Sequence, residues 1–115
     1  MKNGLYHKDI YMPKLNVADK DIQLDYTYHA IYASETDKYE KISLPSKVNV
    51  SKGEIIEIEI VDNKLIKLVV GVPYNSKYNL FLVIVQDCAR VKTVWLNEIS
   101  DKHITLDRSK YISRP

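Results

Sequence analysis

At 115 residues, with 45% hydrophobic and 28% charged side chains, the chain is long enough for one hydrophobic core and too short for two. Its 17 Lys and Arg against 15 Asp and Glu leave a formal charge of +2, too small to name nucleic acid as a partner by bulk electrostatics. A single cysteine, Cys88, excludes an intrachain disulfide. No apolar run reaches the ~20 residues of a membrane helix, and Met1-Lys2-Asn3-Gly4 opens no signal-peptide core, so the expectation is a cytoplasmic protein without a membrane partner.

Residues 1–25 mix Tyr6, His7, Tyr11, Met12 and Pro13 with charges at no clear period. They read as an irregular N-terminal arm with at most one short strand near Leu15 to Val17. Residues 26–115 read as a single α+β domain. Thr27 is an N-cap candidate for a helix over 28–38, with Ala30, Ile31, Ala33 and Ser34 supplying its small and apolar positions. Tyr28, Ile31 and Tyr32 also favour extended backbone, so a short extended lead-in is the competing reading.

Leu44-Pro45-Ser46 marks a loop and Lys52-Gly53 a turn. Beyond them, residues 54–61 alternate strictly from Ile56 to Ile60, as a strand with one wet face does, and 64–72 form a second β-rich run. The pair reads as a hairpin. A three-residue loop, 62–64, sets Ile60 opposite Ile66, Ile58 opposite Leu68 and Ile56 opposite Val70, with Glu59 facing Lys67 on the other side. A two-residue loop would mix the faces, so the longer loop is expected, with Asn63 or Lys64 in the left-handed region.

Pro73-Tyr74-Asn75-Ser76 makes a turn into a third strand, 79–86, whose continuous apolar character predicts a central place covered on both faces. Asp87-Cys88-Ala89 turns into a fourth strand, 90–97, placing Val94 and Leu96 on one face and Val91, Thr93 and Trp95 on the other. The tail folds back over the sheet end through Leu106 and Tyr111. The expected fold is therefore α+β, an N-terminal helix packed on a four-stranded antiparallel meander.

The sequence lacks a glycine-rich phosphate loop, a Gly-x-Ser-x-Gly elbow, paired zinc cysteines and His-Glu-x-x-His, which argues against the enzymes built on them. His7, His29 and His103 stand at no metal-ligand spacing, and neither metal nor cofactor is expected. Cys88 fits a small turn residue better than a nucleophile. Nine tyrosines against one phenylalanine suit half-buried rings with wet hydroxyls better than a base-stacking surface, which would add clustered basic residues. What remains is an acid/base set, with His29, Thr93 and His103 as catalytic candidates and Lys67, Lys92 and Thr105 as substrate contacts. Two histidines can divide the base and acid roles when a ribose 2′-hydroxyl attacks the adjacent phosphorus, while lysine and threonine donate to the phosphorane oxygens. The competing reading makes His29 a packing or capping residue, Thr93 an ordinary strand residue and His103 part of a solvated tail.

The stretch Tyr28-His29-Ala30 to Lys38-Tyr39, the strand Lys92-Thr93-Val94-Trp95-Leu96-Asn97 and the tail Asp101-Lys102-His103-Ile104-Thr105-Leu106 resemble small uncharacterised phage and bacterial proteins. In layout that group is similar, distantly, to the barnase, EndoU, colicin and RelE-like ribonuclease superfamily. The resemblance implies a metal-independent, toxin-like hydrolase that binds and cleaves RNA, with His29, Lys92 and Thr93 at matching positions. Lys38-Tyr39-Glu40 stands where Arg-Tyr-Gly would be usual, and Gly71 where an arginine would be, so the implied member is weakened or inactive. The rival expectation is a non-enzymatic, phage-type binding protein that inhibits a host factor. A third is a homo-oligomer formed through a sheet edge.

Overall fold

The computed structural model describes residues 2–85, 89–101 and 106–113. In chain order the elements are β1 (Gly4–His7), β2 (Ile22–Gln23), β3 (Asp25–Tyr26), α1 (Tyr28–Glu35), β4 (Lys47–Val48), β5 (Glu54–Val61), β6 (Lys64–Pro73), β7 (Tyr78–Val85) and β8 (Arg90–Glu98). The main sheet runs β1-β5-β6-β7-β8-β3, and β2 pairs with β4 in a separate two-stranded sheet. The expected four-stranded meander under an N-terminal helix is thereby corrected. β5 to β8 do form an antiparallel meander, but β1 adds to one side, β3 adds to the other in parallel with β8, and the chain is mostly β.

The arm at 1–25 is not irregular throughout, because Gly4–His7 pairs with Ile60 to Glu57 of β5 and Tyr6 enters the core at 2% exposure. No strand forms at Leu15 to Val17; Leu15 and Val17 pack against the core from a loop.

One face of the sheet is the core face. Ile58, Ile60, Leu68, Val70, Leu80, Leu82, Ile84, Val91, Val94 and Leu96 are buried there beneath Ala30 of α1, Ile42, Val48 and Val50, with Tyr11, Met12 and Leu15 packed alongside. Removing this apolar area from water is the main stabilising term.

Thr27 caps α1 as expected. Its hydroxyl oxygen accepts from the Ala30 N–H at 3.1 Å and donates to Lys92 O at 3.1 Å, so one side chain both starts the helix and ties it to β8. The helix stops at Glu35, short of 38, because Asp37 is drawn to the sheet. Its carboxylate accepts from the backbone N–H of Leu96 and of Tyr39, each at 3.1 Å. Both sheet edges thus carry partners: β3, Thr27 and Asp37 along β8, and Ile112, whose N–H donates to Leu5 O at 2.8 Å, along β1.

The β5–β6 hairpin turns on two residues, not three. Asp62 and Asn63 both take positive φ, 52° and 62°, the pattern of a tight primed turn. The inner register nevertheless matches the expectation, Ile58 opposite Leu68 and Glu59 opposite Lys67, because a bulge between Glu59 and Ile60 absorbs the missing loop residue. The extra residue there is Ile66, left 37% exposed. A second bulge between Ile55 and Glu57 gives Ile55 the place opposite Val70 and turns Ile56 out of the core.

A third bulge lies at Lys92. Val83 pairs with Thr93 but Ile84 pairs with Val91, so Lys92 is extra, and Val91 joins Val94 and Leu96 on the core face. This overturns the expected grouping of Val91 with Thr93 and Trp95: a strict period of two fails wherever a residue is inserted.

A candidate groove on the open face of the sheet

The face opposite the core carries a row of directly paired residues, His7, Glu57, Val69, Val83 and Thr93, running across β1, β5, β6, β7 and β8. Beside it runs Gly71, Phe81 and Trp95, and beyond that Asn79 opposite Asn97. Paired residues in antiparallel strands project to the same side, so these side chains share one surface. Over it lies a groove of about 720 Å³, lined in part by Leu106 and Tyr111 of the returning tail.

The floor at one end is aromatic. The Phe81 and Trp95 rings stack with centroids 5.4 Å apart and planes 10° from parallel. Gly71 makes this possible, since a Cβ there would stand 2.7 Å from Phe81 Cε1. The glycine found in place of an expected arginine therefore has a packing role in this chain.

Most of the ionisable groups are bonded to one another. The Tyr111 hydroxyl donates to Glu57 Oε1 at 2.5 Å, and its ring meets His7 edge-on at 5.1 Å. Burial, then the bond to Glu57, push the Tyr111 phenol up to about 12. Lys67 Nζ lies 3.6 Å from Glu57 Oε2 and 3.7 Å from Glu59 Oε1, bridging two half-buried carboxylates. His7 Nδ1 accepts the Asp9 N–H at 3.1 Å, which in the neutral ring assigns the proton to Nε2. Lys8 pairs with Glu54 at 2.7 Å. Glu98 and Asp101 are exposed at the far rim.

No protein-family model, curated protein or solved structure matches the chain.

The residues singled out from the sequence do not gather in this groove. His29 is exposed on α1, which packs over the core face, whereas Thr93 is half-buried in the row on the opposite face, so the sheet separates them. Lys67 is in the groove, but held between two carboxylates. Lys92 is exposed at its bulge and borders, with Lys67 and Glu59, a smaller depression of about 500 Å³. His103 and Thr105 lie outside the described residues, as does Cys88. Among the described residues, no group of three His, Cys, Asp or Glu is placed to hold a metal ion.

His7, Glu57, Phe81 and Trp95 were not selected from sequence. Glu57 and Trp95 stood on recognised strands, and their outward parity was the available signal. His7 carried none, because its strand exists only by pairing with β5.

Proposed function

We propose that the protein is a non-enzymatic binding module that takes a segment of a partner protein into the open-face groove and thereby blocks that partner, as a small inhibitor of a host factor does. The observation that carries this reading is the groove itself. It is of ligand-binding size and combines an aromatic floor with a polar rim, the usual composition of a recognition site.

Two further observations support it over the cleavage of RNA. His29 and Thr93 are on opposite faces of the sheet, so they cannot share one phosphate. The described groove lining is richer in carboxylates than in ammonium groups, which repels a polyanion.

Trp95 is the chain's single tryptophan and lines the groove, so its emission reports occupancy. Titration with peptides is expected to shift that emission, and RNA oligonucleotides are expected neither to shift it nor to be cut. RNA cleavage by the purified protein would overturn the reading.

One observation favours the second reading, acid/base cleavage of RNA: His7 and Glu57 are direct cross-strand neighbours inside the groove. That reading requires cleavage which His7→Ala and Glu57→Gln each abolish.

A further inference from the structure

We propose that the occupant of the groove is a basic peptide segment, with an arginine guanidinium laid on the Trp95 indole and a second positive charge at the rim formed by Glu98 and Asp101. This deepens the binding-module reading and rests on it.

Among the described residues lining the groove, five carboxylates (Asp9, Glu54, Glu57, Glu98 and Asp101) oppose two ammonium groups, Lys8 and Lys67. The described lining therefore carries a formal charge of −3. Both ammonium groups are engaged by carboxylates of the same lining, Lys8 by Glu54 at 2.7 Å and Lys67 by Glu57 at 3.6 Å. Glu98 and Asp101 are exposed and make no ion pair among the described residues, so their charge faces whatever enters. A concave surface with one sign of charge focuses its field and selects the opposite sign.

Trp95 is half-buried and lines the groove, and its ring is fixed by the near-parallel Phe81, itself seated on Gly71. A flat, immobilised indole suits a planar, weakly hydrated cation, and guanidinium stacks on it better than a compact, strongly hydrated ammonium. The platform and the rim carboxylates border one groove, so a short extended segment can meet both.

Trp95 emission of the intact protein should be titrated with four short peptides of equal length: arginine/glycine, lysine/glycine, glutamate/glycine and serine/glycine. The arginine peptide is expected to bind best, the lysine peptide several-fold more weakly, and the other two not measurably, with affinity falling as salt rises. Glu98→Gln combined with Asp101→Asn changes only exposed rim residues, so it tests the charge argument without risk to the fold. It is expected to weaken arginine-peptide binding about three- to tenfold, the range for two exposed charge contacts. Trp95→Leu, read by calorimetry, is expected to narrow the preference for arginine over lysine.

Equal binding of the serine and arginine peptides, or an unchanged affinity in the rim variant, would overturn the basic-occupant proposal and leave the binding module standing. Failure of all four peptides overturns the proposal outright, and RNA binding or cleavage in their place removes the module reading with it.

Discussion

Gly71→Ala tests whether the aromatic floor is a packed unit. The added Cβ would sit 2.7 Å from Phe81 Cε1, 3.1 Å from Cζ and 3.2 Å from Cδ1, whereas carbon pairs prefer about 3.5–4.0 Å. The ring must retreat by roughly 1 Å to restore contact distance. It has little room, because Phe81 is 6% exposed and backed by Trp95 at 5.4 Å. Overpacking of this kind costs about 1–3 kcal/mol, offset by about 0.5–1 kcal/mol from removing a flexible glycine from a strand. The net expectation is a loss of about 0.5–2 kcal/mol, a fall in Tm on the order of 5 °C. Thermal unfolding by far-UV circular dichroism measures it, and Trp95 emission should shift at temperatures where the protein is still folded. In a Phe81→Leu background the same glycine change is expected to be neutral or stabilising. A Tm unchanged or raised in the Phe81 protein, or equal effects in both backgrounds, would refute the packing argument.

Three other expectations follow from single contacts. Thr27→Ala removes both the helix cap and the bond to Lys92 O, and is expected to cost about 1–2 kcal/mol in chemical denaturation, whereas Thr27→Ser keeps most of it. The Tyr111 phenol has its pKa raised from 10.0 to about 12, so the fold favours the neutral form. That contribution is fully present below pH 10 and is lost as pH rises toward 12. Tyr111→Phe should therefore flatten the fall of Tm across that window, though incompletely because Tyr26, raised to about 12 by burial, contributes likewise; an unaltered slope would contradict the assignment. Lys67→Met leaves Glu57 and Glu59 facing each other half-buried, with an expected loss of about 1–2 kcal/mol, part of which Glu59→Gln in the same protein restores.

The parts of the fold that rest on local chemistry could be read from the residues alone. Thr27 as a cap depends on one side chain and a backbone N–H three residues later. Glu59 opposite Lys67 and Ile58 opposite Leu68 follow from alternation within a hairpin. The return of Tyr111 over the sheet follows from an aromatic residue in a polar tail. What escaped depends on partners distant in sequence or on inserted residues. Gly4–His7 has no pattern of its own and becomes a strand because β5 offers an unpaired edge some 50 residues later. The two-residue Asp62-Asn63 turn mixes faces in strictly alternating strands, yet a bulge repairs the register at the cost of exposing Ile66. Lys92 does the same to β8, moving Val91 into the core and leaving Thr93 on the far side from His29.

The same dependence on distant partners decides where the histidines fall. Histidine identity drew attention to His29, but its helix packs over the core face, so it is turned away from the groove. His7, by contrast, is 9% exposed and belongs to the row across the groove floor. Trp95 shares the Thr93 face as alternation predicts, whereas its packing beside Phe81 and Gly71 depends on pairing across three strands.

The most direct measurement is amide chemical-shift mapping of the isotope-labelled protein during titration with the arginine/glycine peptide. The account predicts saturable shifts at Asn79, Phe81, Trp95, Asn97 and Glu98, with the α1 amides unmoved. Shifts concentrated on Tyr28 to Glu35, or none at the groove, would contradict it.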